Sequence, residues 1–264
     1  MICNICKRNM KIFSKNSKNI FYKCPYCHFY DTYVVEGSHD FDYDNYETFD
    51  NELSEFDSMV KDAMNILEYK FKLIGVKPDS FIDIGCSEGV FVKAFQRLSG
   101  GKKASGIEVS APKIERAKRR GLDVANYDNA FGEYDFVLLR HVIEHIEKSS
   151  DYIDYISKRF LSKNGVLCIE TPNNDHLGAI KRGNRIDNER YCRELYPPTH
   201  ICGYTAKTFR TFAHLHNYKI IKMTTYSYED EWCYPSTGYS GSFRERIKNK
   251  AFLGLNLAVF LQKK

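Results

Sequence analysis

The chain has 264 residues, 43% of them apolar and 28% charged, which suits one large domain or a standard domain with a small appendage. No window reaches ~18 uninterrupted apolar residues and no apolar run follows the first residues, so neither a membrane span nor a signal peptide is expected. The nine cysteines are therefore expected in a reducing cytoplasm, where thiols bind metal or fill the core rather than pair.

The net charge of +5 is segregated. Residues 1–30 hold six Lys/Arg and no Asp/Glu, whereas residues 31–57 hold ten Asp/Glu and no Lys/Arg. Uniform basicity would suggest a nucleic-acid surface; this division suggests pieces with different jobs. We expect an arm over residues 1–35, an acidic linker over 36–57 with Phe41, Tyr43, Tyr46 and Phe49 among its charges, and a large domain over 58–264.

In the arm, Cys3, Cys6, Cys24 and Cys27 form a C-x2-C-x17-C-x2-C array, the spacing of a four-thiolate zinc site. Each turn points two sulfurs at one point, and two turns complete a tetrahedron. A rubredoxin-like iron site uses the same ligands, so the metal's identity stays open. A thioredoxin-like redox pair would need one C-x2-C beside a strand–helix unit instead. Four thiolates leave no open coordination position, so the site is expected to be structural, and His28 beside Cys27 has no place in the shell. The arm's basic residues lie against a site of formal charge about −2 and beside the acidic linker, which argues against a nucleic-acid partner.

Met59, Ala63, Ile66, Leu67, Phe71 and Ile74 then recur at helical spacing up to Gly75, and Lys77-Pro78-Asp79 ends that helix. From residue 80, apolar strands alternate with helical stretches. Strands are expected over 80–84, 105–109, 124–127, 134–139 and 165–170, with helices over 90–98 and 111–119 and from the fourth strand through about residue 160. Such alternation implies a parallel sheet covered on both faces. Residues 172–203 lose periodicity and read as a functional insert. A helix over 205–216, a strand over 219–226 and a final buried strand over 256–262, paired with it, complete the chain.

The most informative segment is Asp83-Ile84-Gly85-Cys86-Ser87-Glu88-Gly89, a buried strand ending in a glycine turn that opens a helix. Gly85 and Gly89 let the backbone pass close to a ligand, and the helix N-terminus favours negative charge. Gly85, Ser87 and Gly89 also match the nucleophile elbow of α/β-hydrolases. Glu108 decides against it: an acid ending the second strand, 19 residues after Gly89, is placed to hold both ribose hydroxyls of a nucleoside. A nicotinamide site predicts G-x-G-x-x-G, whereas this chain offers G-x-x-x-G. Cys86 reads as a small packing residue.

These residues resemble motif I of class I S-adenosylmethionine-dependent methyltransferases, and Gly106-Ile107-Glu108-Val109 resembles their motif II. Residues 134–145 and 165–173 resemble the fourth- and fifth-strand segments of the ubiquinone-biosynthesis-like branch, so the resemblance spans about 58–264. It implies an α/β, Rossmann-like seven-stranded sheet with helices on both faces, here preceded by a small zinc-ribbon-like arm. By position, it assigns Asp83 and residues 85–89, Cys86 included, to the methionine moiety of S-adenosylmethionine, Glu108 and Val109 to the ribose side, Asp128 and Asn129 to adenine, and Arg140 to the pocket rim. Ser87 stands where a third glycine is common.

Transfer to an alcohol needs a base, and histidine suits neutral pH. His200, in the insert that folds over the acceptor in similar methyltransferases, is the leading candidate, with His141 at the end of the fourth strand next and His176 weaker. On a helix, His141 and His145 would share a face and Glu144 would point ~100° away, which speaks against one joint metal site. Tyr191, Arg193 and Tyr196 share the insert with Lys181, Arg182, Arg185 and Arg190, which read either as a solvated loop or as a lid for an anionic acceptor. Zinc arms of this type also occur in deoxysugar C-methyltransferases, which carry a further C-terminal domain. The expectation is O-methylation of a small, polar, anionic metabolite (a sugar, sugar nucleotide or phosphoramidate-type precursor of a capsular or surface polysaccharide). Sugar C-methylation, an RNA- or protein-modifying enzyme recruited through the arm, and a non-catalytic binding module are the alternatives.

Overall fold

Alternate residues of the central strands face opposite ways, and this decides the architecture. The computed structural model describes residues 1–35, 53–183, 185–187, 191–192, 194–226 and 251–264. In chain order the strands of the arm are β1 (Lys11–Lys15), β2 (Asn19–Lys23) and β3 (Tyr30–Val34). Then come α1 (Leu53–Ile74), β4 (Ser80–Ile84), α2 (Val90–Ser99), β5 (Lys103–Ile107), α3 (Ala111–Arg119), β6 (Val124–Ala125), β7 (Tyr134–Arg140) and α4 (Ser149–Phe160). They are followed by β8 (Leu161–Pro172), α5 (Leu177–Arg182), β9 (Ile186–Asp187), β10 (Tyr191–Cys192), β11 (Cys202–Gly203), α6 (Ala206–Leu215), β12 (Tyr218–Tyr226) and β13 (Asn256–Lys263).

Seven strands form one mixed sheet in the order β12-β13-β8-β7-β4-β5-β6. The five from β8 to β6 run parallel, and β13 inserts antiparallel between β12 and β8. Phe81, Phe136, Leu138, Val166 and Cys168 face α1, α2 and α3, while Ile82, Ile84, Val137, Leu139, Leu167 and Ile169 face α4 and α6. Near-continuous apolar strands are what a sheet buried on both faces requires. On the first face Phe81 stacks on Phe95 at 5.0 Å and on Phe136 at 6.1 Å between ring centroids. Each fully buried phenylalanine contributes about 2–3 kcal/mol by area.

The expected two-faced sheet and its terminal strand pair are present, with four differences. The third strand stops at Ala125, because Asn126 caps a 3-10 turn over Tyr127–Asn129. The helix expected straight after the fourth strand is absent: a 3-10 turn over Ile143–His145 intervenes, and α4 begins at Ser149. The insert holds α5 and a β9–β10 ladder, and β8 runs twelve residues, up to Pro172. Finally α1 begins at Leu53, inside the segment read as linker. Residues 36–52 of that linker, with Phe41, Tyr43, Tyr46 and Phe49, lie outside the described residues, as do Arg190 and Arg193.

The arm adds a second sheet, ordered β1-β2-β3-β11. Its last strand belongs to the insert: Tyr30 pairs with Gly203 and Asp31 with Cys202.

Candidate functional site

The parallel ends of β4 and β5 build the glycine turn. Gly85 and Cys86 both donate their N–H to the carbonyl of Ile107, at 2.8 and 2.9 Å. Glu108 Oε2 accepts the Ser87 N–H at 2.8 Å, and its Oε1 accepts those of Val109 at 2.8 Å and Ser110 at 3.0 Å. One carboxylate thus ties the two turns together. Gly85 has φ 76°, and a Cβ there would lie 2.6 Å from Val142 Cγ2, so only glycine lets the turn after β7 approach this closely. Ser87, at φ 51°, takes the left-handed conformation that a glycine would adopt more easily. The Cys86 thiol is buried and pushed well above its ordinary value by burial and by Asp83 and Glu108. It packs under the turn, against Gly106 of β5.

Asp83 is 4% exposed at the end of β4. Burial raises its carboxyl to about 8 against the pull of Arg140, and the charges of Glu108 and Glu170 add to the rise. Arg140 Nε lies 3.3 Å from Glu170 Oε2, and Lys70 reaches from α1 to pair with Glu170 Oε1. Sequence reasoning missed Lys70 and Glu170. The signal was there: Lys70 lies on the same stripe as Ala63, Ile66, Leu67 and Ile74, so a buried charge awaited a buried partner. Asp128 and Asn129 lie in the 3-10 turn after β6, where the Asn129 side chain donates to Asn126 Oδ1 at 2.9 Å. Val109 is exposed.

Beside this turn, three histidines gather round Glu144. His141 follows β7 with φ 52° and donates its backbone N–H to the carbonyl of Glu170 at 2.9 Å. Its Nδ1 is 3.1 Å from Glu144 Oε1, and Thr171 Oγ1 donates to Glu144 Oε2 at 3.2 Å. His145 Nδ1 is 3.0 Å from the carbonyl of Thr199, and His200 Nδ1 is 3.2 Å from that of Glu194. A carbonyl only accepts, so both imidazoles donate from Nδ1, and Nε2 is the nitrogen each can turn to a ligand. The His145 and His200 rings are 4.9 Å apart, edge to face.

The expectation that Glu144 points away from the histidines is therefore corrected. It assumed an α-helix, and the 3-10 turn after the left-handed His141 swings the carboxylate inward. Glu144, His145 and His200 each offer a ligand atom, and these lie within 4.8 Å of one another. Two imidazoles and a carboxylate suit a divalent cation of intermediate hardness, and carbonyls that fix the other ring nitrogen are the usual supports of such ligands. Burial pushes the Glu144 carboxyl up, but the hydrogen bond and charge of His141, with His145 and His200, hold it at about 2. Burial drops His200 to about 4 despite Glu144. His200 is thus neutral and Glu144 anionic across the physiological range.

His176 is occupied elsewhere. Its Nδ1 caps α5 and its Nε2 lies 2.6 Å from Glu194 Oε1, away from the Glu144 cluster's ligand set. Arg182 also pairs with Glu194, at 3.0 Å, while Lys181 and Arg185 are exposed.

The four cysteine sulfurs of the arm lie within 4.8 Å of one another. The two halves repeat one hydrogen-bond pattern: Cys3 N donates to Arg8 O and Cys24 N to Phe29 O at 2.8 Å, and Lys7 N donates to Cys3 O and His28 N to Cys24 O at 3.0 Å. Lys7 and His28 are both left-handed, with φ 57° and 59°. That is His28's place in the arm: it closes a turn and is no ligand. Twin turns around four sulfurs, three of them on buried cysteines, fit a tetrahedral thiolate-bound metal.

The family model described as "Methyltransferase domain" matches residues 61–223. The mitochondrial ubiquinone biosynthesis O-methyltransferase of Saccharomyces cerevisiae is 25% identical over 107 residues, which cover 36% of this chain and 34% of that protein. The match thus spans about a third of the yeast protein's length. Among solved structures, the plantazolicin methyltransferase BpumL, in complex with a monoazolic desmethylPZN analog and SAH, superposes with TM-score 0.51 at 16% identity, over 80% of this chain and 88% of that one. An S-adenosylmethionine-dependent methyltransferase from Clostridium acetobutylicum gives 0.52 at 13% identity, over 81% and 93%. Coclaurine N-methyltransferase, bound to N-methylheliamine and SAH, gives 0.51 at 14% identity, over 82% and 75%. No described helix is long and apolar enough to cross a membrane.

Proposed function

The chain belongs to the methyltransferase-domain family, and we propose that it transfers the methyl group of S-adenosylmethionine to a hydroxyl oxygen of a small, polar, anionic metabolite. The observation that supports this reading is the close approach of Gly85 to Val142, the residue that follows His141 and precedes the turn bearing Glu144. The turn, with Asp83 and Glu108, would hold the cofactor, with Val109, Asp128, Asn129 and Arg140 toward its ribose, adenine and rim. A methyl donor lying over Gly85 would then face His141, Glu144 and His200. Methyl transfer from a sulfonium is an in-line displacement, so alignment and exclusion of water supply much of the rate.

The acceptor's proton must also leave. His200, buried and uncharged with its tautomer set by the Glu194 carbonyl, is the base in this reading, and His141 is its neighbour on the cofactor side. Lys181 and Arg185, exposed on the insert, would meet an anionic group such as the phosphate of a sugar nucleotide or a phosphoramidate-type precursor. We place the reaction in capsular or surface-polysaccharide biosynthesis, in the cytoplasm, and the arm's four cysteines around a structural zinc ion.

The spacing of Glu144, His145 and His200 favours a second reading of the same cluster. These residues would hold a divalent cation, which would acidify a bound hydroxyl. Isotopically labelled S-adenosylmethionine incubated with sugar nucleotides, sugar phosphates and neutral sugars tests the function. Labelled product is expected with the charged acceptors; label only in RNA or protein, or no cofactor binding at millimolar concentration, overturns it.

A further inference from the structure

The two segments that carry the histidine cluster are both held by the cysteine arm. On one side, Asn4 Nδ2 donates to the carbonyl of Glu147 at 2.6 Å, and Ser150 Oγ donates to Asn4 Oδ1 at 2.9 Å. These contacts hold the end of the turn that bears Glu144 and His145. On the other side, β3 pairs with β11, two residues beyond His200. Thr208 Oγ1, in the capping box of α6, donates to the carbonyl of Cys27 at 3.1 Å, and Phe29 packs against Tyr204 with ring centroids 5.4 Å apart. The two held segments are also joined to each other. Ile201 N donates to the carbonyl of Glu144 at 3.0 Å, Tyr204 Oη donates to that of Ile143 at 3.0 Å, and the Cys202 thiol lies 3.4 Å from that of Ile146.

Among the described residues, no hydrogen bond or ion pair joins residues 1–35 to β4, β5 or the turns that follow them. The arm's polar contacts therefore brace the histidine half of the site, and toward β4 and β5 the arm shares only the apolar core with Ile82, Ile84 and Ile107. Its three strands have five residues each. A sheet that small needs a staple to stay ordered, and four thiolates round a metal provide one.

We infer that the cysteine arm is a positioning element for the acceptor side of the site: the order imposed by its metal fixes Glu144, His145 and His200 relative to one another without contributing to cofactor binding. This rests on the reading of those residues as the acceptor side. Asn4, Cys27 and Tyr30 are its positioning residues. A two-residue strand such as β11 has little stability of its own, so without β3 the segment 199–204 loses its register, and His200 moves with it.

The test compares the metal-loaded full chain with the same chain stripped of metal and with Asn4→Ala, which keeps all four cysteines. Three quantities are read: the S-adenosylmethionine dissociation constant by calorimetry, amide exchange along the chain, and the long-range proton–nitrogen spectrum of the imidazoles. In the stripped protein, exchange over 143–150 and 199–208 should quicken at least tenfold and the His145 and His200 signals should shift or broaden. Cofactor affinity should stay within threefold. Asn4→Ala should move the His145 signals with its metal content intact. Faster exchange confined to residues 1–35 overturns the proposal, as does a parallel loss of cofactor affinity. These readouts need no acceptor, so a wrong assignment of the reaction leaves them intact and is recognised separately, by the absence of labelled product.

Discussion

The Tyr196 hydroxyl lies 2.9 Å from His200 Nε2, with the two ring centroids 3.8 Å apart. Since His200 Nδ1 donates to the Glu194 carbonyl, Nε2 must accept, and Tyr196 occupies the lone pair that a base needs. An acceptor hydroxyl has to displace it. Tyr196→Phe should therefore lower the acceptor's KM by about three- to tenfold, the worth of one hydrogen bond, with kcat and cofactor affinity little changed. A tenfold fall in kcat would instead make Tyr196 a proton relay.

His200→Asn removes the lone pair and keeps a polar side chain of similar reach. Cofactor affinity should be unchanged and turnover should fall by ~10²-fold or more. Near-normal turnover would remove His200 from the chemistry.

Glu144→Gln separates the two readings of the cluster. The anion accepts from His141 and Thr171 and sits among the possible ligands. With a cation at the cluster, elemental analysis of the wild type should find a second metal equivalent beyond that of the cysteines. Glu144→Gln should lose only that equivalent, whereas Cys24→Ser should lose the arm's equivalent and, with the arm's order gone, weaken the other. With His200 as a simple base, the second equivalent is absent and chelator-treated enzyme with its arm metal intact retains activity.

Much of this was legible in the chain, and the exceptions share a cause. The glycine turn and Glu108 are local signals, as are the two C-x2-C turns. The alternation of strands and helices is visible because a doubly covered sheet demands apolar strands. The 3-10 turn at Ile143–His145 was hidden, since residues 143–146 carry no helix breaker and His141 shows no outward sign of its left-handed backbone. The pairing of β3 with β11 was hidden because two residues set no periodicity, and a register across about 170 positions is a tertiary fact. Lys70 was visible as an oddity, but its partner on β8 was not.

That partnership has a measurable cost. Lys70 and Glu170 are 2% and 0% exposed, and the pull of burial on the lysine's proton is more than offset by Glu170 together with Cys168 and Tyr226, so its affinity for the proton rises. Lys70→Met leaves the buried Glu170 carboxylate facing Arg140, which is itself less buried. Breaking one side of a buried pair costs about 3 kcal/mol or more, whereas replacing both sides is nearer neutral. Urea unfolding should show a loss of about 3 kcal/mol for Lys70→Met and recovery of at least half of it in Lys70→Met combined with Glu170→Gln. Equal loss in both would mean that Lys70 acts through its packing alone.

In the proposed reading, with Asp83 beside the methionine moiety, cofactor binding should depend on pH. Its carboxyl titrates at about 8 in the free protein because burial penalises the anion. The ammonium group of a bound methionine moiety would favour the ionised form. Below pH 8 binding must then release a proton, and affinity falls as pH falls. The limiting slope is tenfold per pH unit, so the dissociation constant should rise roughly fiftyfold from pH 8 to pH 6. Calorimetry in two buffers of different ionisation enthalpy should register nearly one proton released at pH 6.5 and few above pH 9. In Asp83→Asn the pH dependence should vanish and affinity should settle near the weak, low-pH value. A flat profile in the wild type would mean that Asp83 is already ionised, held by Arg140 before the cofactor arrives.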